Sequence, residues 1–244
     1  MPRNMTSLER VRTVIDGGIP DRVPVCLLSF QSAAEFAGYS VREYCTSAEK
    51  IAEAQLAYWD EFQHDMIEIE NGVAALAEAV GCEVAYPRKE PPWVTAPAID
   101  SLDEIDRLPD DLIDAPGVTA LLKATELIAE SVGDSVAIRG DSDQGAFSLA
   151  TQIVGTETFL LAATDSLQQQ NVHRLLAYAN EQVKRLARAQ RAAGSHYTVI
   201  GDSIAGPDVC SPQMYRELAL PYEKQLIEDL RRDGMEVGIH ICGD

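Results

Sequence analysis

Short apolar runs alternate with longer segments of helical periodicity along this chain. Residues 23–28 (VPVCLL) form a continuous apolar run, too short for a helix and typical of a strand covered on both faces. Similar runs predict strands at residues 66–69, 135–139, 197–200 and 235–241. Apolar residues at three- and four-residue steps predict helices at residues 47–62, 73–80, 116–132, 167–193 and 211–232. A capping box at residues 6–9 predicts a short helix before the first strand.

Alternation of strands and helices is the pattern of an α/β fold with a parallel sheet and helices packed on its outside. A (β/α)8 TIM barrel typically needs about 250 residues, and five strand–helix units occupy all 244 residues here. An open five-stranded sheet is the alternative, but a final strand without its helix would leave one face bare. We therefore expect residues 1–244 to be a single barrel domain, incomplete at the C-terminus, with about the first five units present.

Composition narrows the classes of function. The 46% hydrophobic content allows a large core, and 20 Lys and Arg residues against 39 Asp and Glu residues give a net charge of -19. This charge disfavours binding to nucleic acid or to an anionic membrane. No apolar run of about 18 residues and no leader at residues 1–4 is seen, which predicts a cytoplasmic protein. The five cysteines include no CxxC pair, which argues against a disulfide framework.

The last strand ends in a candidate metal site. His240 and Cys242 are two positions apart, so in a strand their side chains project from the same face. An imidazole and a thiol are zinc ligands, but a catalytic zinc usually has three protein ligands and an open position. From the residues alone, the pair is an incomplete zinc site, one completed from elsewhere, or a buried histidine and thiol.

Polar residues at the ends of the other predicted strands are candidates for the catalytic face of a barrel. Asp202 and Ser203 follow the strand at residues 197–200 and are candidate catalytic residues. Asp141 and Gln144 follow the strand at residues 135–139, and Glu70 ends the strand at residues 66–69; these three are candidate substrate-binding residues. The alternatives are loop side chains that satisfy backbone groups and, for Glu70, a structural ion pair.

Several segments, taken in order, resemble the uroporphyrinogen decarboxylase superfamily, and within it the corrinoid-dependent methyltransferases. The matching segments are DRVPV (21–25), AEAVGCEV (77–84), GAFSLA (145–150), 211–222, and HICG (240–243). The resemblance implies the same barrel that the alternation of elements predicts.

The resemblance also implies a chemistry. In the methyltransferase branch, a His-x-Cys pair and a later cysteine bind zinc, which here means His240, Cys242 and a cysteine beyond residue 244. The implied reaction moves a methyl group between a corrinoid, methylcobalamin on a partner protein, and a small thiol such as coenzyme M, with zinc activating the thiol. Some related barrels instead activate a methylated substrate for attack by the reduced corrinoid, so the direction of transfer stays open.

The alternative is a cofactor-independent decarboxylase of porphyrinogen acetates. Decarboxylases of this superfamily carry an Arg-rich loop after the first strand, whereas residues 29–36 (SFQSAAEF) contain no Arg or Lys. Ser203 matches by position a serine that contacts substrate carboxylate in the decarboxylases. Asp65 resembles their pyrrole-binding carboxylate, but a carboxylate at a helix-to-strand junction is more often a solvated turn residue.

Overall fold

The computed structural model describes residues 5–243. Residues 1–4, which bear on the predicted absence of a leader, and Asp244 of the terminal motif lie outside the described residues. The α-helices are α1 (Ser7–Ile15), α2 (Phe30–Phe36), α3 (Val41–Cys45), α4 (Ala48–Phe62), α5 (Ala75–Val80), α6 (Pro116–Val132), α7 (Ala146–Val154), α8 (Thr156–Thr164), α9 (Gln169–Ala192), α10 (Pro212–Met214) and α11 (Leu220–Arg232). The strands are β1 (Met66–Ile69), β2 (Glu83–Ala85), β3 (Trp93–Ala96), β4 (Ala137–Gln144), β5 (Tyr197–Gly201) and β6 (Glu236–His240). Short 3₁₀ turns lie at Leu102–Arg107 and Ser203–Ala205.

A parallel sheet organises the fold, in the strand order β1-β4-β5-β6. Each pair is in parallel register, with Met66 opposite Ala137, Arg139 opposite Tyr197, and Thr198 opposite Val237. Long helices connect the strands, as the alternation of elements predicts. The α/β class is therefore as expected, and a parallel sheet of this order is consistent with part of a (β/α)8 barrel.

The first predicted strand is wrong as a full strand. Within residues 23–28 the structure contains one isolated parallel bridge, from Cys26 to Met66. Pro24 has no N–H to donate, and the Val25 N–H is bound by the side chain of Asp65 at 2.7 Å, which leaves few groups for a ladder. Val23 and Leu28 are 80% and 75% exposed, so this run is not covered on both faces.

Helices α7 and α8 were not among the predicted elements. Nearly every residue of α7 is buried, and a short, mostly apolar segment of this kind does not distinguish a helix from a buried strand. Gly155, at φ 84°, separates the two helices in a conformation that suits glycine. The rings of Phe147 and Phe159 then meet edge to face at 5.2 Å in the core. Among the described residues no single helix is both long and apolar enough to cross a membrane, and α7 with α8 meets that criterion only as a pair bent by 110°.

The predicted helix at residues 211–232 is interrupted. A π-helical segment, Tyr215–Ala219, joins α10 to α11. Pro221, in the first turn of α11, cannot donate the backbone hydrogen bond that a continuous helix requires. The chain therefore begins α11 afresh at Leu220, where a proline is tolerated.

Candidate active site

Side chains from the carboxyl ends of the parallel strands enclose a cavity of about 530 Å³. The structure places six of the predicted site residues in its lining: Glu70, Asp141, Gln144, Ser203, His240 and Cys242. They come from four strands and the segments that follow them, so the cavity lies where a barrel carries its chemistry. A second cavity of similar volume, beside α2 and α3, is lined by none of these residues.

The imidazole and thiol of the terminal motif point towards each other. The Nε2 atom of His240 and the Sγ atom of Cys242 are 3.3 Å apart, and both residues are exposed. A tetrahedral zinc, with a Zn–N distance of about 2.0–2.1 Å and a Zn–S distance of about 2.3 Å, separates two such donors by about 3.6 Å. The donor types and their spacing therefore fit two ligands of one zinc ion.

The loop after β5 supports this pair. The backbone N–H of Asp202 donates to the carbonyl oxygen of His240 at 2.8 Å, and the Cys242 thiol donates to the Oγ atom of Ser203 at 3.5 Å. Gly206 lets the same loop approach, since a Cβ atom there would lie 2.3 Å from the carbonyl oxygen of Cys242. Ser203 therefore touches a candidate metal ligand, and Gly206 leaves room for the chain that carries it.

Asp202 is not placed to act on a substrate as predicted. Its side chain is fully buried and is not part of the cavity lining. One carboxylate oxygen accepts hydrogen bonds from the N–H and the hydroxyl of Ser148, at 2.8 and 2.6 Å. The hydroxyl of Ser148 in turn accepts the N–H of Ile204 at 2.9 Å. We therefore correct its assignment from a catalytic residue to a positioning residue, which ties α7 to the loop that carries Ser203.

Carboxylates crowd the side of the cavity formed by β1 and β4. Oxygen atoms of Glu68, Glu70 and Asp141 all lie within 4.8 Å of one another. Arg139 makes an ion pair with Glu68 at 2.7 Å and a longer one with Asp141 at 3.5 Å. Asp141 and Gln144 lie within β4 and not in a loop as predicted, because the strand continues past residue 139.

A backbone irregularity brings a further carboxylate to this side. The register of β4 against β5 shifts between Asp141 and Gln144, and Asp143 has a φ of 63°. The Asp143 N–H donates to the Oδ1 atom of Asp141 at 2.9 Å, and its Oδ2 atom accepts the N–H of Leu76 at 2.6 Å. A non-glycine residue with positive φ costs free energy and is often found at functional sites.

Burial keeps these acids from ionising easily. Desolvation raises the pKa of Asp141 to about 7, despite the opposing effect of Arg139. It also raises the pKa of Asp143 to about 7, although the Leu76 N–H opposes the shift. The pKa of Glu70 is raised well above its ordinary value by burial and then by the nearby Asp141 and Glu68. The cavity therefore contains groups that exchange protons near neutral pH.

Replacement of Asp141 by asparagine, which does not ionise, is expected to stabilise the protein at alkaline pH. The folded protein holds this proton up to about pH 7, whereas an unfolded Asp releases it at about pH 3.9. Because the folded state binds more protons between these values, the free energy of unfolding falls as the pH rises. We expect Asp141→Asn to raise it by at least about 1 kcal/mol at pH 8 in urea unfolding. The exposed Asp134→Asn control removes one charge without this gain, and a loss of stability in Asp141→Asn would contradict the burial cost.

Three residues of the acidic side, Glu68, Arg139 and Asp143, were not among the site residues predicted from the sequence. Arg139 belongs to a predicted strand, where its role as the partner of Glu68 depends on cross-strand register. Asp143 was one residue of an acidic stretch, and its turn towards the cavity depends on the irregular end of β4. The segment DSDQ (141–144) shows acidic character in the sequence but not which oxygens meet.

Comparisons with known proteins identify the family of this chain. The family described as Uroporphyrinogen decarboxylase (URO-D) matches residues 6–244. Methylcobamide:CoM methyltransferase MtaA of Methanosarcina barkeri is 26% identical over 96% of this chain and 68% of its own length. MtbA of Methanosarcina mazei, with the same activity in its name, is 26% identical over 98% of this chain and 70% of its own length.

Two further comparisons concern the fold of the chain and the relatives, methyltransferases or decarboxylases, that it matches over more of its length. A solved methyltransferase from Methanosarcina mazei superposes with a TM-score of 0.89 at 25% identity, over 98% of this chain and 70% of its own. A uroporphyrinogen decarboxylase of Xanthomonas campestris is 28% identical, but over only 75% of this chain and 52% of its own length. Methyltransferases thus match nearly the whole chain. Because the family match extends from residue 6 to residue 244, this chain belongs to the uroporphyrinogen decarboxylase family.

Proposed function

We propose that this chain is a zinc-dependent methyltransferase that moves a methyl group between a corrinoid on a partner protein and a small thiol. Methyltransferase activity, the coarser part of the proposal, follows from the relatives that match 96% and 98% of the chain. The zinc, the corrinoid partner and the thiol are the finer part. They rest on the donor pair at the mouth of the cavity.

The distance of 3.3 Å between the Nε2 atom of His240 and the Sγ atom of Cys242 carries the proposal. Histidine and cysteine are the ligand types that select zinc, and both side chains are exposed to the cavity that would admit a substrate. The resemblance to the methyltransferase branch expects the third ligand, a cysteine, beyond residue 244. Zinc bound with an open position favours the thiolate form of a substrate thiol and so supplies a nucleophile near neutral pH.

The residues of the chain have distinct tasks in this proposal. The hydroxyl of Ser203 lies 3.5 Å from the sulfur of Cys242 and would donate a hydrogen bond to it once that sulfur is a metal-bound thiolate. Asp202 holds the loop through Ser148, as described above. Asp141, with a pKa of about 7, lines the same cavity and is able to take the proton that a substrate thiol must lose.

The decarboxylase alternative is disfavoured by the charge of the cavity. A porphyrinogen substrate with many carboxylates needs cationic partners in its site. Among the described lining residues the one Lys or Arg is Arg139, which is already paired with Glu68. Carboxylates on the same wall would repel such a substrate, so methyl transfer is the better-supported reaction.

Methyl transfer from free methylcobalamin to a panel of small thiols tests the proposal. We expect formation of the S-methyl product with loss of the methylcobalamin absorbance, and we expect a chelator to abolish the reaction and added zinc to restore it. Release of carbon dioxide from a porphyrinogen by zinc-free protein, without any methyl transfer, would instead support the decarboxylase.

A further inference from the structure

The side of the cavity formed by β1 and β4 is strongly acidic. Four carboxylates line it, and a single Lys or Arg, Arg139, does so among the described residues; the carboxylates are those of Glu68, Glu70, Asp141 and Asp143. Arg139 is closest to Glu68, at 2.7 Å, and lies farther from Asp141, at 3.5 Å. The described lining of the cavity therefore contains one positively charged side chain and four carboxylic acids.

Two of these acids have unmet bonding capacity. Among the residues that the structure describes, Glu70 makes no hydrogen bond or ion pair, although its carboxylate belongs to the group of oxygens within 4.8 Å of one another. Asp143 is only 3% exposed, and its Oδ1 atom is buried without a hydrogen-bond partner. Ionised carboxylates are costly when they are buried, as Asp143 is, or partly buried without a partner, as Glu70 is, and a cationic donor would reduce that cost.

The two ends of the cavity differ in chemistry. One end presents the imidazole of His240 and the thiol of Cys242, and the other presents the acids of β1 and β4. We propose, on the basis of the function proposed above, that the substrate joins a thiol or methyl thioether to a protonated amine, with its sulfur at His240 and Cys242 and its ammonium group at Glu70. An anionic thiol such as coenzyme M would place its negative charge against the same acids.

The reaction of such a substrate balances without another reagent. When the thiol is the acceptor, the S–C bond forms as the Co–C bond of methylcobalamin breaks, and the electron pair of that bond stays on cobalt. The thiol proton leaves to a carboxylate of the cavity or to water. In the reverse direction the same bonds exchange, so the amine is a binding group in both directions.

Proton linkage gives the binding a distinct signature. The charged groups that face Glu70 are Glu68, Arg139, Asp141 and Asp143 on the strands, with His240 and Cys242 at the far end. A bound ammonium group favours the ionised form of Asp141 and Asp143, whose pKa values are raised to about 7 by burial. Binding of the amine should therefore release protons at neutral pH, and its affinity should rise as the pH increases through 7.

Three thioethers of equal length test the charge preference without needing the metal. They are 2-(methylthio)ethylamine, 2-(methylthio)ethanol and 2-(methylthio)ethanesulfonate, which carry positive, neutral and negative end groups. By titration calorimetry at low salt we expect the amine to bind at least about tenfold more tightly than the sulfonate, with the alcohol between them. Equal binding of all three, or tightest binding of the sulfonate, would overturn the proposal.

A charge-removing variant locates the preference. We expect Glu70→Gln to lower the affinity for the amine by about tenfold and to leave the affinity for the alcohol unchanged. Glu61→Gln removes one equal charge from the exposed end of α4 and should change neither affinity. If both variants lower the affinity for the amine equally, the preference reflects the net charge of the protein and the proposal fails. It also fails if Mg²⁺ or Ca²⁺ displaces the amine at equal concentration, because the acids would then be a metal site.

Methyl transfer separates this inference from the proposed function. The acceptors are 2-aminoethanethiol, 2-mercaptoethanol and 2-mercaptoethanesulfonate, each supplied with methylcobalamin. Transfer that is fastest to 2-mercaptoethanesulfonate would overturn the inference and leave the methyltransferase function standing. Preferential binding of the amine with no transfer to any thiol would overturn the proposed function and leave the cation-binding site standing.

Discussion

Replacement of His240 by alanine is expected to lower the affinity of the protein for zinc by at least about 100-fold. Loss of a residue that merely orients a ligand typically costs 10- to 100-fold in metal affinity, so loss of a ligand costs at least as much. Methyl transfer should fall in parallel, because the thiol would lose the group that favours its ionised form. Competition with a chromophoric chelator measures the affinity, and cobalt substitution reports a Cys242–metal bond through its charge-transfer band.

The chain offers a matched control for this variant. His173 is also exposed, lies on α9 outside the cavity, and contacts the hydroxyl of Tyr222 at 3.0 Å. His173→Ala should therefore leave the zinc affinity unchanged and exclude adventitious binding by surface imidazoles. Since His240 is itself exposed, its replacement should leave the thermal transition nearly unaltered. Unchanged zinc affinity in a folded His240→Ala protein would contradict the assignment of this residue as a ligand.

Much of this site could be anticipated because parallel strands share a direction. Residues that follow a strand, such as Ser203, or end it, such as His240, meet at one edge of the sheet whatever the details of packing. What the sequence pattern could not supply is the orientation of each side chain at that edge. Asp202 and Ser203 are neighbours in one loop, yet the first faces Ser148 in the protein interior and the second faces Cys242. Alternation along an irregular loop has no fixed period, so their roles separate only in three dimensions.

The strands and helices also differ in how well the sequence pattern predicts them. The strands at residues 66–69 and 197–200 were predicted nearly to the residue because each is a short apolar run with clear ends. The run at residues 23–28 has the same composition but forms one bridge, since side-chain hydrogen bonding by Asp65 replaces a ladder partner. Helix α7 is only nine residues long, and a short, mostly apolar segment does not distinguish a helix from a buried strand.

Asp65 is the residue for which the sequence-based expectation was furthest from the structure. It is fully buried and not a solvated turn residue. It accepts hydrogen bonds from Arg10 at 2.5 Å, from Arg22 at 2.6 and 2.8 Å, and from the hydroxyl of Ser7 at 2.9 Å. Arg10 also pairs with Asp21. The DRVPV segment that resembles the family thus contributes Asp21, Arg22 and the Val25 N–H to a network that joins α1 to β1, so this part of the resemblance has a structural basis.

Replacement of Asp65 by alanine is expected to lower the free energy of unfolding by about 3–5 kcal/mol. The cost is large because the change leaves the guanidinium of Arg10, which is 6% exposed, without its second carboxylate and leaves the Val25 N–H unbonded. Urea unfolding at neutral pH measures the loss. Burial alone would raise the pKa of Asp65, but hydrogen bonds from Arg22, Val25 and Arg10 outweigh it and lower the pKa. The contribution of Asp65 is therefore present above its unfolded pKa of about 3.9 and is lost as the pH falls through the lower folded value.

A graded series keeps this prediction testable even if Asp65→Ala does not fold. Arg22 has a side chain that is 49% exposed, so Arg22→Ala removes two hydrogen bonds to Asp65 and should cost only about 1 kcal/mol. Asp60→Ala, which removes an exposed carboxylate from α4, should change the free energy of unfolding by less than about 0.5 kcal/mol. A cost for Asp65→Ala as small as that for Asp60→Ala would mean that Asp21 alone satisfies Arg10. A cost for Arg22→Ala as large as that for Asp65→Ala would instead mean that the partly exposed Arg22–Asp65 pair contributes most of the stability of the network.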